Sequence, residues 1–187
     1  MSWNEAGVSA RSGKHEKPVV WERCAVPELL QGGVVRMESE KSKMSYFEIG
    51  IFHTKTEQNV GTLWRSAFQL GAAGVFTIGK RYDKMSSDTY HTTKNIPLRH
   101  YLTFDDFILN LPVDAVLVGI EMGGEPLSEF HHPKNAIYLL GAEDNGLPPD
   151  VMEKCNKIVS LQAVRQPSYN VAVAGSLVMY DRLFGVK

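Results

Sequence analysis

The residues best placed to do chemistry fall in three separated stretches. Near the C-terminus, Arg165-Gln-Pro-Ser-Tyr-Asn170 breaks into the proline-free apolar run Val171-Ala-Val-Ala-Gly-Ser-Leu-Val-Met-Tyr180, so a loop feeds a helix there. Ser168 and Asn170 stand at its start, where short polar side chains satisfy the unpaired N–H groups of a first turn. Capping alone is sufficient reason for both. A second stretch, Leu139-Leu-Gly-Ala-Glu-Asp-Asn-Gly-Leu-Pro148, frames Glu143 between Gly141 and Gly146. That is more glycine than a simple turn requires, and it favours close backbone approach to a ligand. The third, Asn59-Val-Gly-Thr-Leu-Trp-Arg65, puts an amide at a helix start and a guanidinium two turns in, beside Trp64 and close to Ala67 and Phe68. A partly buried arginine needs a partner. A structural salt bridge to Glu143 and a place in a site fit Arg65 equally well at this point.

Several other chemistries find no support in the chain. No G-x-G-x-x-G follows a strand and no G-x-x-x-x-G-K-[ST] occurs, which argues against dinucleotide and P-loop sites. The histidines (15, 53, 91, 100, 131 and 132) form no H-E-x-x-H or H-x-x-x-H pattern, so no metal is expected. Ser168 lacks a G-x-S-x-G elbow, which weakens a hydrolase pairing Ser168 with a histidine. Cys24 and Cys155 lie far apart without metal-ligand spacing and read as free thiols of a reducing compartment.

The elements that must position these residues can be read from periodicity. Tyr46 to Phe52 is a strand; Asn59 to Leu70 repeats its apolar residues at helical spacing; Gly71 suits the position past a helix end; Gly74 to Gly79 is a second strand. A strand–helix–strand unit implies a parallel pair. Residues 80–100 read as a long polar excursion, and such a loop in a compact domain is more often functional than idle. Thr103 caps a short helix to Asn110. Asp114 to Ile120 and Ala136 to Leu140 are continuous apolar strands of the kind buried on both faces, with a turn at Glu121 to Pro126 between them. A short helix at Pro149 to Lys154, a strand at Ile158 to Leu161 and a helix from Tyr169 to Phe184 complete the chain. The pattern predicts an α/β domain with a mostly parallel sheet and helices on both faces. In such sheets ligands bind beyond the carboxyl ends of the strands, which selects the loops 53–59, 119–125, 141–147 and 162–169.

With 187 residues, 43% hydrophobic and 22% charged, the chain suits one ordinary domain and is short for two. Residues 1–44 are polar and weakly periodic, and are expected to be a partly disordered appendage to a main domain at 45–187. No apolar run reaches membrane-spanning length, and Met1-Ser-Trp-Asn-Glu lacks the order of a secretory signal, so a cytoplasmic protein is expected. A net charge of −1 confines any nucleic-acid surface to a local patch.

Taken in order and spacing, Asn59 to Arg65 with Gly71, Leu139 to Pro148, and Ile158 to Ala174 resemble the SpoU/TrmH family of RNA 2′-O-ribose methyltransferases, of the SPOUT class. Asn59-Val-Gly-Thr-Leu-Trp-Arg65 matches the family's N-x-G-x-x-x-R, and Ser168-Tyr-Asn-Val171 resembles its S-L-N-V. The likeness runs from about residue 46 to 184. Two residues depart from the pattern: Ser160 where proline is usual and Tyr169 where leucine is usual. Neither removes a polar catalytic group, but Tyr169 changes a wall of the pocket.

The resemblance implies a deep C-terminal trefoil knot, one of the rare threaded folds. It also implies a homodimer whose sites draw on both subunits, with S-adenosyl-L-methionine bent in the knot. Catalytic roles would fall to Arg65, Asn59, Glu143, Ser168 and Asn170. The cofactor would meet Gly119, Ile120, Glu121, Leu140, Gly141, Ala142, Gly146, Ile158, Leu161 and Val171. RNA phosphates would meet Lys80, Arg81, Lys84, Lys94, Arg99 and Arg165. Residues 1–44 are too short for the separate RNA-binding domain of longer members, which favours transfer RNA over ribosomal RNA. A knotted RNA-binding or assembly protein without catalysis is the competing expectation.

Overall fold

The computed structural model describes residues 46–82, 95–166 and 168–186, and all of them fall in one compact unit. The expectations for residues 1–44, Cys24, Lys84 and Lys94 lie outside the described residues. Six strands form one parallel sheet in the order β3-β2-β1-β5-β4-β6. They are β1 (Phe47–Phe52), β2 (Gly74–Ile78), β3 (Leu98–Tyr101), β4 (Val116–Pro126), β5 (Ala136–Leu140) and β6 (Lys157–Ser160). The central strands β1, β2 and β5 are buried along almost their whole length, as apolar runs without alternation require when both faces are covered.

On one face lie α1 (Glu57–Gln69) and α4 (Val171–Phe184), packed against each other and against β1 and β5. Helix α1 buries Val60, Leu63, Trp64 and Ala67, and it ends where Gly71 takes a positive φ of 73°. Among the described residues the opposite face carries α2 (Phe104–Leu109) and α3 (Pro149–Met152), over a second core of Phe76, Phe107, Leu117, Ile137, Leu139 and Val151. Thr103 caps α2 by accepting from Asp106 N.

Two expectations change. The excursion at 80–100 contains β3, an edge strand of four residues whose Leu98-Arg-His-Tyr101 lacks a hydrophobic run. It pairs with β2 because Trp64 Nε1 donates to Ile96 O and Val75 N to Pro97 O, which steer the chain onto the edge. The turn expected at Glu121 to Pro126 is the second half of β4. After a register shift between Ile120 and Glu125, the strand resumes pairing with β6 through Val159 and Ser160. The glycines of Gly123-Gly124 let the chain bulge and then close on Ile158.

Candidate functional site

The middle of β4, the carboxyl end of β5 with its loop, the chain after β6 and the start of α4 surround an open cleft of about 260 Å³. Its apolar side is Ile120, Leu140, Leu161, Val171 and Ala174; its polar side is Glu121, Glu143, Asp144, Asn145 and Ser168, with Gly141, Ala142 and Gly146 between. Three carboxylates line it, and none of the lining residues is Lys, Arg or His. The cleft therefore favours a ligand with an apolar ring and positive charge.

The Gly141–Gly146 loop is built for this wall. Ala142 and Gly146 exchange both backbone hydrogen bonds, at 3.2 and 3.0 Å. Gly146 has a positive φ of 62°, and a Cβ there would run into the Glu121 carboxylate. Glu121 uses one oxygen on Leu147 N (2.7 Å) and the other on Met122 N (2.9 Å), so it braces the loop from β4.

Glu143 projects from this loop into a chain of hydrogen bonds. It accepts from Thr54 Oγ1 at 2.7 Å, Asn59 Nδ2 at 2.6 Å and Lys55 N at 3.2 Å. Asn59 Oδ1 accepts from Asn170 Nδ2 at 2.9 Å, and Asn170 Oδ1 caps α4 by accepting from Ala172 N and Val173 N. Burial pushes the Glu143 carboxyl up, but the Asn59 and Thr54 hydrogen bonds, with backbone amides, more than offset it and hold it below the usual value. Lys55 pairs with Asp144 beside it. Residues more than eighty positions apart are thus held as one unit.

Among the expected catalytic residues, Glu143 and Ser168 line the cleft, and Asn59 and Asn170 join it through Glu143. Asn170, rather than Ser168, is the helix cap. Arg65 is not partly buried: it is exposed on α1 and outside the lining, and the bonds to Glu143 come from Thr54, Lys55 and Asn59. Of the expected cofactor residues, Ile120, Glu121, Leu140, Gly141, Ala142, Gly146, Leu161 and Val171 line the cleft. Gly119 and Ile158 do not. Ile158 Cδ1 packs over Gly119 inside the sheet, so both serve the β4–β6 contact.

Lys80, Arg81 and Arg165 are exposed. Arg99 is at the other end of the sheet, where it pairs with the buried Glu48 of β1, and its charge is already matched there. Sequence reasoning missed Thr54, Asp144 and Asn145. Thr54 is 3% exposed in a polar stretch, and nothing local marks a threonine whose partner lies 89 residues on. The two departures from the motif have structural work. Ser160 Oγ donates to Gly124 O at 2.9 Å, and Tyr169 lines the cleft while its hydroxyl donates to Gln162 O at 2.9 Å.

A parallel sheet whose carboxyl-end loops knit an acidic, half-apolar cleft defines an α/β ligand-binding domain of the kind that takes small cofactors outside its strand ends. Residues 47–180 match the model of the SpoU rRNA Methylase family, and the chain belongs to that family. Solved structures share the fold. One described as giving structural insights into the 2-OH methylation of C/U34 on tRNA is 24% identical with a TM-score of 0.66, covering 76% of this chain and 99% of that one. The AdoMet-bound rRNA methyltransferase from Sinorhizobium meliloti is 23% identical with a TM-score of 0.63, covering 73% of this chain and 55% of that one. The TrmH/SpoU tRNA modifying enzyme of A. aeolicus is 17% identical with a TM-score of 0.66, covering 74% of each chain. The chain thus spans about half the length of the Sinorhizobium protein. No curated protein matches it.

Proposed function

We propose that the chain is an S-adenosyl-L-methionine-dependent methyltransferase that modifies a ribose 2′-hydroxyl of RNA, transfer RNA before ribosomal RNA, in the cytoplasm. The observation that carries this reading is the cleft: Glu121 and Glu143 opposite an apolar wall, with Asp144 already paired to Lys55 and no basic lining residue, suit a ligand that joins an adenine ring to positive charge. Membership in the SpoU rRNA Methylase family and the titles of the 2-OH methylation and AdoMet-bound structures support the same chemistry.

When bound, the cofactor supplies an electrophilic methyl group. Leu140, Leu161, Val171 and Ala174 would cover its adenine, while Glu121 and the Gly141–Gly146 loop would hold its polar groups. A ribose hydroxyl is a poor nucleophile at neutral pH, so positioning and proton management carry the rate. A guanidinium is not deprotonated in proteins, so Arg65 is not read as the base. Its role in this reading is to orient the hydroxyl and the adjoining phosphate. Glu143, Asn59 and Asn170 fix the loop and helix ends around the acceptor, and Ser168 contacts the ribose.

An exposed Arg65 outside the cleft fits a homodimer in which the guanidinium serves the partner's site. An apolar stripe supports this reading: Val173, Leu177, Tyr180 and Phe184 recur at four- and three-residue steps on α4 and are 40 to 60% exposed. The trefoil threading belongs to this reading too. After β6 at one edge, the chain returns past β4 and the Gly141–Gly146 loop to place α4 against α1.

Calorimetry with S-adenosyl-L-methionine, followed by methyl transfer to total RNA from cells lacking the gene, tests the proposal. Micromolar binding with transfer to a 2′-hydroxyl is expected. Absence of cofactor binding would leave a knotted RNA-binding protein without catalysis. Arg65→Ala is expected to abolish turnover while leaving cofactor affinity and dimerisation unchanged. More than a tenth of the wild-type rate in this variant would remove Arg65 from its assigned role.

A further inference from the structure

We propose that Phe52, His53 and Phe104 form a stacking ledge for a nucleobase of single-stranded RNA flanking the methylated ribose. The inference rests on the RNA methyltransferase reading above and adds a subsite to it.

His53 is the one non-glycine residue with positive φ among the described residues, at 50°. Side chains rarely adopt this region, and strained backbone gathers where ligands are handled. The strain here has a visible product. His53 N still donates to Ile78 O at 2.9 Å, so the strand end is kept while the imidazole swings over Gly79. Gly79 is itself at φ 93°, and any side chain on it would collide with the ring.

The ring is held but not covered. Phe52 meets it edge to face, with centroids 4.4 Å apart and planes at 74°, and Phe104 meets Phe52 in turn at 6.1 Å and 85°. His53 stays exposed, and nearby Leu102 is 73% exposed. Phe52 and Phe104 are half-buried against the second core and brace the ring, and an ordered, exposed ring beside a basic segment is what single-stranded RNA stacks on. The basic segment follows Gly79 directly: Lys80 sits 5.3 Å from the centroid of the Tyr82 ring, and Arg81 is exposed. The Tyr82 hydroxyl donates to Thr54 O, and Thr54 holds Glu143, so the ledge and the cleft share one turn of chain. Of the neighbouring acids, Asp105 and Asp106 serve the first turn of α2, and Asp106 also accepts from Leu102 N.

The test compares a short oligoadenylate with an abasic ribose-phosphate oligomer of equal length, at one salt concentration. The wild type is expected to bind the oligoadenylate about tenfold more tightly, the range of one stacked base. His53→Asn keeps a residue tolerant of positive φ and removes the ring, so it should lose that preference while cofactor binding stays unchanged. His53→Phe should retain it. Equal binding of both oligomers by the wild type, or a full preference in His53→Asn, would overturn the ledge while methyl transfer to total RNA continued. Complete absence of that transfer in the wild type would instead bring down the function reading, and the ledge with it.

Discussion

Glu143 shows how much of this site lies in pairs rather than in single residues. Its carboxyl is held low by Asn59 and Thr54 against the upward push of burial. A depressed folded pKa means the stabilisation is present above the unfolded value of about 4.3 and is lost as pH falls through the folded one. Thr54→Val keeps the shape and removes one donor, so the Glu143 pKa is expected to rise toward that of a free carboxylate. Carboxyl carbon chemical shifts through a pH titration would check this; an unmoved midpoint would show that Thr54 does not hold the group. The same pair marks the limit of the sequence. Asn59, Glu143 and Asn170 stand out because amide and carboxylate residues at helix starts and in glycine loops have local signatures. Thr54 and Asp144 gain their meaning only when β1 and β5 lie side by side. The apolar residues flanking Arg65 in sequence imply partial burial, whereas its own spoke of the helix points outward.

Among the elements, α4 is the most heavily anchored. Arg182 donates to Pro133 O (2.7 Å), Lys134 O (2.8 Å) and the Tyr138 hydroxyl (3.0 Å), and its guanidinium lies 4.9 Å from the Phe47 ring centroid. His132 bridges Tyr138 and Asp181, at 2.6 and 2.9 Å. The helix end is therefore tied to the β4–β5 connection by half-buried polar groups. Arg182→Met preserves the length of the stem and removes every donor, leaving the Pro133 and Lys134 carbonyls without it and the Tyr138 hydroxyl with His132 alone. A loss of about 2 to 4 kcal/mol is expected, read as a lower urea midpoint with unchanged slope. An unchanged midpoint would mean the ties are incidental. Elements with long apolar periods, such as β1, α1, β5 and α4, could be read directly. Strand β3 could not, because an edge strand of Leu-Arg-His-Tyr carries no run and is fixed by a tryptophan from another element. The far half of β4 was hidden for a related reason: glycines that spell a turn in sequence here serve a bulge.

For the whole molecule, the charge balance sets what RNA binding can look like. A net charge of −1 leaves only a local patch, and the exposed Lys80, Arg81 and Arg165 are its described members in the proposed reading. With three phosphate contacts, log affinity should fall against log salt with a slope of about −2 to −3, and a slope near zero would exclude the patch.

The assembly can be tested by complementation. If Arg65 serves the partner's cleft, a variant lacking it still offers an intact cleft, and Asn170→Ala still offers an intact arginine. Coexpressed in equal amounts, the two chains would give mixed dimers for about half the population, each with one complete site of two, so about a quarter of wild-type activity should return. Either variant alone should stay inactive. A site made within one chain gives no recovery, because each cleft then lacks one group or the other. Leu177→Glu supplies the control. It puts charge on the outer stripe of α4, so sedimentation should show monomers and the recovered activity should vanish. Recovery that survives the loss of dimers would refute the exchange of arginines, whatever the cleft binds.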